Sequence, residues 1–506
     1  MNEAYRRGFL TSEPSDFIGG RFRPLRSTAN GPTAELVESH DPAQPAVSVW
    51  RGAAEPSHIE NAIEAARASS RDWRSASQES RGQLLATWRD VLIAHEDRIA
   101  RLITLETGKT LAESRLEAKA LAEKVSITLE GPSVGRVLGF DFVVNPTRRG
   151  VCAFRPHGVM AVFGPFNFPA HLPNGHFVPA LLTGNTVVFK PSERAPAVGQ
   201  LLAELSDLAG FPPGVFNVVA GGPTVAARLS EHAGIDGILF TGSWITGRRI
   251  LAANIDRPGR MVALEMGGSN AAIVCEDCHL KQAVVECVRS AFATAGQRCT
   301  CTRRIVVNAK IADQFIPLFA KVASTLLIGP GESDEPNFMG PMISSDAREN
   351  VIAFQSRRVR EGAVTILPVT KLDRDGWFLT PGALQVQRFD SITDEECFGP
   401  LVQIAIARDD EDAIEQANAT QFGLAAAVFT ASEDRWKRIV PHLRAGCINW
   451  NVGTAGASSR LPFGGLGRSG NNRPAGSFSL DYCAMPIAHL EERTDAVALP
   501  QGMRPF

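Results

Sequence analysis

The segment NTVVFKPSERAPAVGQLLAELSDLAGFPPGVFNVVAG, residues 185–221, contains one complete strand–helix–strand unit. Its two ends, NTVVFK and GVFNVVAG, are short apolar runs rich in valine and phenylalanine, which is typical of buried strands. Between them, AVGQLLAELSDLAG (197–210) has the pattern of a helix that ends at Gly210, before two prolines. Two strands joined through a helix predict a parallel pair with a right-handed crossover.

Further apolar runs continue this alternation on both sides of the unit. GVMAVFG (158–164), GILFTGS (237–243) and RMVALEMGG (260–268) predict three more buried strands. Helical patterns such as DAIEQANAT (412–420) belong to a second alternating series. The predicted strands of that series are RRIVVN (303–308), LVQIAIA (401–407), AAAVFT (425–430) and CINWN (447–451). Two α/β lobes with parallel sheets are therefore expected, and such sheets bind ligands at the carboxyl ends of their strands.

The regions outside these two series have a different character. Helical patterns dominate roughly the first 130 residues, with amphipathic runs at about 80–103 and 111–127. The segment VGRVLGFDFVVNPTRRGVCAFRPHG (134–158) predicts an extended ribbon with a turn at Asn145 and Pro146. SFSLDYCAMPIA (477–488) predicts another strand. Extended segments far from both lobes could pair across subunits, although strand signals alone do not establish it.

Composition and charge restrict the class of ligand. The chain has 506 residues, 44% of them hydrophobic, and its 52 basic and 54 acidic residues give a formal net charge of -2. This balance gives no excess of positive charge that would favour binding to nucleic acid or an anionic membrane. No apolar run is long enough for a spanning helix, and MNEAYRRGF lacks the apolar core of a signal peptide. We expect a cytoplasmic protein that binds small molecules and keeps its nine cysteines reduced.

Two strand ends carry residues that suit a nucleotide. In FTGSWITGRRI (240–250), a strand is followed by Gly242 and Gly247 and then by the start of a helix. Small residues at such a junction let backbone amides approach a phosphate. In FKPSE (189–193), Lys190 and Glu193 could hold ribose hydroxyls. Glycine-rich turns and charged loop tips are also common without any ligand, so each motif by itself leaves a structural interpretation open.

The segment GPFNFPAHLPNGHFVPALLTGN (164–185) combines glycine, proline and asparagine with an apolar setting. Asn167 lies between two phenylalanines, and a buried amide must find hydrogen-bond partners. Its side-chain N–H could stabilise an oxyanion, or it could form a turn. His171 and His176 could be metal ligands, but no matching cysteine or carboxylate cluster accompanies them, so we predict no metal site.

The acidic residue in ALEMGG (263–268), Glu265, ends a strand inside an apolar run. An ionised carboxylate is costly in such surroundings unless it is paired. Glu265 is therefore neutralised, paired with a cation, or a base with a shifted pKa.

The cysteines of ATAGQRCTCTRR (293–304) allow a metal clip, a redox pair or a single nucleophile. A metal clip needs further ligands, and the only C-x-x-C, at 275–278, has no second pair at a usual spacing. Cysteines separated by one residue rarely close a relaxed disulfide. A nucleophile needs a lowered pKa, which a turn with cationic neighbours can supply. Spacing alone does not choose between Cys299 and Cys301.

Taken together, the motifs resemble those of the NAD(P)-dependent aldehyde dehydrogenases across almost the whole chain. The residues that carry this resemblance are Phe292, Gly296, Gln297 and Cys299; Leu264, Glu265, Gly267 and Gly268; Pro165, Asn167, Phe168 and Pro169; Lys190, Pro191 and Glu193; Phe240 to Ser243 with Gly247; Glu395, Glu396, Phe398, Gly399 and Pro400; and Pro462 to Gly470. The distance of 34 residues from Glu265 to Cys299 also matches the family.

The resemblance implies a role for each of these positions. The catalytic residues would be Cys299 as nucleophile, Glu265 as base and Asn167 as oxyanion donor, acting through a thiohemiacetal and a thioester. The cofactor-binding residues would be Lys190, Glu193, Gly242, Ser243, Gly247, Glu396 and Phe398. A carboxylate at Glu193 accepts a hydrogen bond from a 2'-hydroxyl but repels a 2'-phosphate, so NAD is expected as the cofactor.

The resemblance also implies an α/β fold with a Rossmann-type cofactor domain, an α/β catalytic domain and a small β element for oligomerisation. We expect the NAD-binding domain at 1–126 and 147–262 and the catalytic domain at 263–469. The oligomerisation ribbon and tail would be 127–146 and 470–506, in a homodimer or homotetramer.

Three stretches indicate the substrate: NFPAHLPNGHFVPALLTGNTVVFKPSE (167–193), SAFATAGQRCTCTRR (290–304) and GNNRPAGSFSLDYCAMPIAHLEE (470–492). They resemble family members that oxidise a succinylated glutamate semialdehyde in bacterial arginine catabolism. Arg298 would bind a substrate carboxylate, or form a structural ion pair, and His171 would line the tunnel. The alternatives are another acidic semialdehyde, transfer of the acyl group to coenzyme A, or a catalytically inactive member.

Overall fold

The computed structural model describes residues 3–28, 35–391 and 394–504. Its strands are β1 (Ser15–Ile18), β2 (Arg21–Pro24), β3 (Glu35–Asp41), β4 (Gln44–Ala54), β5 (Phe140–Asn145), β6 (Arg148–Pro156), β7 (Val159–Phe163), β8 (Thr186–Lys190), β9 (Phe216–Val218), β10 (Gly237–Gly242), β11 (Met261–Met266), β12 (Asn270–Val274), β13 (Thr302–Asn308), β14 (Val364–Leu367), β15 (Gly382–Gln385), β16 (Leu401–Ala407), β17 (Ala425–Phe429), β18 (Cys447–Trp450), β19 (Pro462–Phe463), β20 (Ala475–Gly476) and β21 (Ala484–Glu492).

The helices alternate with these strands over most of the chain. They are α1 (Glu3–Arg6), α2 (Pro56–Ser75), α3 (Gln78–Ala94), α4 (Glu96–Thr107), α5 (Leu111–Leu129), α6 (Gly131–Val134), α7 (His171–Leu182), α8 (Pro196–Leu208), α9 (Pro223–Glu231), α10 (Trp244–Ala253), α11 (Leu280–Phe292), α12 (Ala312–Ala323), α13 (Ser345–Arg360), α14 (Asp410–Asn418) and α15 (Glu433–Ile439). Short 3-10 helices occur at Gly135–Val137, Ala293–Gly296, Val440–His442 and Gly467–Ser469.

The first large sheet has the strand order β11-β10-β7-β8-β9-β1-β2. Strands β7 to β11 are all parallel, as the alternating sequence predicts. The chain moves outward in one direction from β7 through β8 to β9 and in the other through β10 to β11, so the switch point lies between β7 and β10. In an open α/β sheet this crevice, at the carboxyl ends of the strands, is where ligands bind.

The second large sheet has the order β14-β15-β16-β13-β12-β17-β18. All of its pairs are parallel except the edge pair of β14 with β15. Its central strands β12 and β13 are buried along their whole length, which explains the apolar runs at 271–274 and 305–307. Together, the two sheets confirm the α/β fold expected from the sequence.

The helical interpretation of the first 130 residues is correct from α2 onward but wrong before it. Residues 15–54 instead contain β1 to β4. Strand β1 adds antiparallel to β9, and β3 pairs with β4 in a separate hairpin. In β3, Val37 and Ser39 are buried while their neighbours are not, which is the two-residue period of a half-buried strand.

Helix α2 shows how the predicted apolar periodicity builds the core. Ile59, Ala62, Ile63 and Ala66 are at most 3% exposed and pack in one cluster with strands of the first sheet. Burying an isoleucine side chain contributes roughly 1.5–3 kcal/mol, so this face fixes the helix to the sheet. The run expected at about 80–103 is interrupted at His95, where α3 ends and α4 begins.

The predicted ribbon is a three-stranded antiparallel sheet in the order β21-β6-β5. The turn forms where expected, since Asn145 Oδ1 accepts hydrogen bonds from the N–H groups of Thr147 at 3.0 Å and Arg148 at 2.8 Å. Relative to the expected ribbon at 127–146, α5 continues to Leu129 and β6 extends to Pro156. The division of the chain into domains stays a prediction.

Helix α7 was not predicted from the sequence. It is buried almost all round and includes Pro173 and Pro179, so it has neither the amphipathic period nor the composition of a surface helix. Among the described helices, none combines the length and the apolar character needed to cross a bilayer.

Candidate active site

The candidate site lies where the carboxyl ends of the first sheet face the loops that precede strands of the second sheet. From the first sheet come Asn167 after β7, Lys190 at the end of β8, Gly242 and Ser243 at the end of β10, and Glu265 in β11. From the second come Cys299 before β13 and Glu396 and Phe398 before β16. Asn167 Nδ2 donates to the Gln297 carbonyl at 2.9 Å, and Gly268 N–H donates to Glu396 Oε1 at 3.2 Å.

The loop before Cys299 has an unusual backbone. Thr294 and Ala295 have φ values of 55° and 53°, and Gly296 follows with φ 69°. Left-handed backbone costs roughly 1–2 kcal/mol for each residue that has a Cβ. Glu113 holds the loop, because its Oε1 accepts hydrogen bonds from both the N–H and the hydroxyl of Thr294 at 2.8 Å. A Cβ at Gly296 would lie 2.1 Å from the Gly399 carbonyl oxygen, so only glycine fits there.

Two further side chains hold the cysteine segment, and motif reasoning missed both. Asn270 Nδ2 donates to the carbonyls of Cys299 at 2.7 Å and Cys301 at 2.8 Å. Arg303, which is 3% exposed, donates to the carbonyls of Gly296 at 2.6 Å and Arg298 at 3.0 Å. A polar residue at the start of a buried strand was the only sequence signal for Asn270.

The structure separates the two cysteines that spacing left equivalent. Cys301 is 0% exposed, and its Sγ lies 3.8 Å from the Ala293 carbonyl. Cys299 is only partly buried, and the carboxyl groups of Glu265 and Glu396 both influence its titration. Cys299 is therefore the cysteine that faces the other candidate residues.

The expectation that cationic neighbours lower the pKa of this thiol is wrong. Burial, followed by Glu265 and Glu396, raises the pKa of Cys299 well above its usual value, and Arg303 opposes this only in part. The arginines are engaged elsewhere: Arg304, for example, donates to the carbonyls of Ser269 and Ala417. The resting group is a thiol, so a base must remove its proton before it attacks.

Glu265 is 1% exposed, and neither of its carboxylate oxygens accepts a hydrogen bond from any described residue. Burial raises its pKa well above the usual value. The backbone is held on both sides, because Glu265 pairs with Thr241 of β10 and forms a bridge with Gly470. Of the three states considered from the sequence, the ion pair is not observed among the described residues. A buried carboxyl with a raised pKa is neutral at rest, which fits both of the other two states.

The residues expected to bind a cofactor occupy three places. Two are at the ends of β8 and β10 in the first sheet, and the third is in the loop before β16. Lys190 is 4% exposed, and its Nζ donates to the carbonyl of Pro191 at 2.7 Å and lies 3.8 Å from the Glu193 carboxylate. The side chain of Ser243 caps helix α10, accepting from Thr246 N–H at 3.3 Å. A Cβ at Gly247 would lie 2.3 Å from Met266 Sδ, so this glycine permits close packing of α10 on β11.

Glu396 and Phe398 form the third place. A Cβ at Gly267 would lie 1.7 Å from Glu396 Oε2, so the glycine makes room for that carboxylate. Burial raises the pKa of Glu396 to about 7, although Arg303, 3.7 Å away, lowers it. The ring of Phe398 meets that of Phe166 edge-on at 5.9 Å.

The two predicted substrate residues differ in how fully they are hydrogen-bonded. Arg298 donates to Glu113 Oε1 at 2.9 Å and to the Thr294 hydroxyl at 2.8 Å, and its guanidinium carbon lies 5.4 Å from the centre of the Phe168 ring. His171 is neutral at neutral pH, because burial lowers its pKa to about 4. Its Nδ1 has no partner among the described residues.

His176 has a structural environment rather than a metal-binding one. Its ring nitrogens share hydrogen bonds with the Thr241 hydroxyl at 2.9 Å and the Tyr482 hydroxyl at 3.2 Å. Within the described residues there is no group of three or more His, Cys, Asp and Glu side chains that could hold a metal ion.

Comparison with known proteins identifies the family. The model of the aldehyde dehydrogenase family matches residues 29–485. The chain belongs to the aldehyde dehydrogenase family. It is 41% identical over 491 residues to N-succinylglutamate 5-semialdehyde dehydrogenase of Ectopseudomonas mendocina (strain ymp), covering 97% of this chain and 98% of that protein. The protein of the same name from Yersinia pestis bv. Antiqua (strain Angola) is 40% identical over 499 residues, 98% and 96% of the two chains.

A solved structure supports the same assignment. Lactaldehyde dehydrogenase from Escherichia coli superposes with a TM-score of 0.88 at 28% identity, covering 95% of this chain and 99% of that one. This aldehyde dehydrogenase is therefore an NAD(P)-dependent enzyme of the expected fold. The residues present fit such a cofactor, because a capped helix N-terminus and a buried lysine beside a carboxylate follow strands of the first sheet, and the Glu396 carboxylate reaches Gly268, just after β11, from the second sheet.

Because Cys299 faces the site and Cys301 is enclosed, we expect different results from the two alanine variants. Cys299→Ala abolishes aldehyde-dependent reduction of the cofactor, and iodoacetamide, which blocks the wild-type enzyme by alkylating Cys299, no longer alkylates this site. Cys301→Ala keeps the activity and lowers the free energy of unfolding by about 1 kcal/mol, through the loss of a small buried group. Initial rates and denaturant unfolding test this, and the reverse pattern of activities would show that Cys301 is the nucleophile.

Proposed function

We propose that this enzyme oxidises N-succinylglutamate 5-semialdehyde to N-succinylglutamate with NAD. Two observations carry the chemistry: Asn167 donates to the carbonyl of Gln297, two residues before Cys299, and the Glu265 carboxyl is near enough to raise the pKa of the Cys299 thiol. The support for the substrate is the almost full-length similarity to two enzymes of that name, together with an arginine next to the nucleophile.

The first half of the reaction forms a covalent intermediate. Glu265, once it has lost its own proton to solvent, accepts the thiol proton, and Cys299 Sγ forms a bond to the aldehyde carbon. The carbonyl oxygen becomes an oxyanion, held by the Asn167 side-chain N–H and the Cys299 backbone N–H. An amide carries two N–H groups, so the bond from Asn167 to Gln297 leaves the other for this role. The bound cofactor supplies the acceptor for the hydride, which leaves a thioester on Cys299.

The second half releases the acid. After Glu265 has released the thiol proton to solvent, it accepts a proton from water, and the resulting hydroxide attacks the thioester carbon. Collapse of the tetrahedral intermediate breaks the bond to Cys299 Sγ, and the thiolate takes up a proton. A carboxyl with a raised pKa suits both steps, since it is a stronger base than an exposed glutamate once it is ionised.

The residues of the strand edge are assigned to parts of the cofactor. Lys190 and Glu193 would bind the adenosine ribose, Ser243 at the start of α10 the pyrophosphate, and Glu396 the nicotinamide ribose. Gly242 and Gly247 would act through packing at the start of α10, and Phe398 through its contact with Phe166.

Arg298 is the proposed partner of a substrate carboxylate. Its ion pair with Glu113 supports the structural interpretation, but the two functions are compatible, because a guanidinium has five N–H donors. A substrate carboxylate would share Arg298 with Glu113. His171, whose neutral ring lies at the start of α7, would contribute shape and hydrogen bonding rather than charge.

We further propose a homodimer or homotetramer in the cytoplasm. The exposed strand β5 carries apolar residues that another subunit would cover, among them Phe140, Phe142 and Val143. All nine cysteines are present as free thiols, as expected in a reducing compartment.

The substrate assignment predicts a specific order of kcat/KM values. We expect N-succinylglutamate semialdehyde to exceed succinate semialdehyde, glutamate semialdehyde and neutral aldehydes. Arg298→Ala lowers kcat/KM for the succinylated substrate about ten- to a hundred-fold, the range for losing a charged hydrogen bond, and leaves neutral aldehydes almost unchanged. Initial-rate kinetics over this panel provide the measurement.

The matched control is Arg289→Ala, which removes an arginine from an ion pair on the surface of α11. It should leave all the kcat/KM values unchanged. If Arg298→Ala lowers kcat/KM equally for charged and neutral aldehydes, Arg298 has only a structural role. If a different acidic semialdehyde has the highest kcat/KM, that compound replaces the proposed substrate. If an acyl-coenzyme A product forms, coenzyme A rather than water is the acyl acceptor.

The raised pKa of Glu265 predicts how hydrolysis depends on pH. The carboxyl is a base only when ionised, so thioester hydrolysis speeds up as the pH rises through the raised pKa. Glu265→Gln removes the base of both half-reactions, so the rate of the first NADH turnover and the steady rate should both fall roughly a hundred-fold or more. Stopped-flow fluorescence of NADH measures both phases, and an unaltered steady rate would assign the base to another residue.

The Glu193 carboxylate predicts a preference for NAD. Glu193→Gln removes the charge that would repel a 2'-phosphate, so the ratio of kcat/KM for NADP to that for NAD should rise about ten-fold or more. Glu231→Gln makes the same change of charge at the end of α9 and should leave the ratio unchanged. A wild-type enzyme that prefers NADP would contradict the proposal directly.

A further inference from the structure

A buried ion pair lies behind the loop that carries Asn167. Lys109 follows Gly108, the left-handed residue that ends α4, and Glu117 lies two turns into α5. Lys109 Nζ contacts Glu117 Oε2, and the two side chains are 2% and 0% exposed. Neither residue belongs to the motifs that carry the family resemblance. Removing two charges from water is costly, and such a pair is weak evidence for stability by itself.

The pair contacts nearly every residue of the loop from 167 to 171. Lys109 Nζ donates to the Asn167 carbonyl at 3.0 Å and lies 4.1 Å from the centre of the Phe168 ring. Glu117 Oε1 accepts hydrogen bonds from the N–H groups of Ala170 and His171, both at 3.0 Å. The remaining residue, at position 169, is a proline and has no N–H to donate.

Lys109 thus holds the backbone of Asn167 through its carbonyl, and Glu117 holds the two N–H groups that follow Pro169. The side chain of Asn167 is held separately, by its bond to the Gln297 carbonyl. A dipole stabilises a developing charge only if it is already oriented, and a misplacement of about 1 Å can cost a factor of about a hundred in rate. We infer that Lys109 and Glu117 are positioning residues, which fix the Asn167 amide where the oxyanion develops.

This inference rests on the proposed role of Asn167. The alternative is a purely structural function, in which Glu117 caps α7 and Lys109 only neutralises Glu117. The hydrogen bond from Lys109 to the Asn167 carbonyl favours the positioning role over the purely structural one. Lys109 donates no hydrogen bond to the capped residues of α7.

The double variant Lys109→Met with Glu117→Gln tests it. The glutamine keeps an oxygen that accepts from Ala170 and His171, and methionine keeps most of the apolar stem, so no uncompensated charge is buried. We expect kcat for aldehyde oxidation and for cofactor-independent hydrolysis of p-nitrophenyl acetate to fall about ten-fold or more. The dissociation constant of NADH should stay within about two-fold of wild type, because the cofactor residues lie elsewhere. A double variant that binds NADH and keeps the wild-type kcat overturns the inference.

Asn167→Ala, alone and combined with the double variant, distinguishes the two proposals. If the pair acts through Asn167, the double variant should cause no further loss of kcat once Asn167 is absent. Additive losses would overturn the positioning role while leaving the role of Asn167 intact. An Asn167→Ala enzyme with the wild-type kcat would instead refute the proposed oxyanion donor.

Lys109→Arg provides a second test should the double variant fail to fold. Arginine preserves the charge next to Glu117, but its planar guanidinium cannot occupy the position of the ammonium at the Asn167 carbonyl. We expect a melting temperature and NADH affinity close to wild type with a lowered kcat in both assays. An unchanged kcat in this variant also overturns the inference.

Discussion

The hydrogen bond from the Asn167 side chain to the Gln297 carbonyl, 2.9 Å long, joins the loop after β7 to the loop before β13. Other side chains also hold each loop. Lys109 and Glu117 hold the first, and Glu113, Asn270 and Arg303 hold the second. The position of Cys299 relative to Asn167 therefore depends on this hydrogen bond and on helix α5, which carries both Glu113 and Glu117. Neither sheet contains a complete site.

Burial dominates the electrostatics of the site, because it removes the ionisable side chains from water. Burial raises the pKa of Cys299 and of Glu265, so both groups are neutral at rest. Two anions side by side in this space would repel each other and would each lose hydration. Loss of one proton from Cys299 and Glu265 together leaves a single negative charge. In the proposed mechanism, sulfur attacks when it carries that charge. The arginines near Cys299 mainly bind backbone carbonyls, and so they hold the loop more than they activate the thiol.

The left-handed residues Thr294 and Ala295 show how strain is stored at this site. Their conformation is unfavourable in isolation and persists because Glu113 and the close approach of Gly399 define it. The same carboxylate binds Arg298, so the loop conformation and the proposed substrate contact share one acceptor. The proposed recognition of substrate by Arg298 would thus be linked to the support of the loop that carries Cys299.

The sequence by itself determined the two parallel α/β lobes, the family and the candidate residues, because these follow from periodicity and from motifs of adjacent residues. It failed for α7, whose burial on all sides removes the amphipathic period, and for β1 to β4, which were read as part of a helical region. Only the tertiary structure showed that Cys301 is enclosed while Cys299 is partly exposed, and that burial raises the pKa of Cys299. It also brought Lys109, Glu117, Asn270 and Arg303 to their partners. Those outcomes depend on burial and on contacts between residues far apart in the chain, which short-range sequence patterns do not encode.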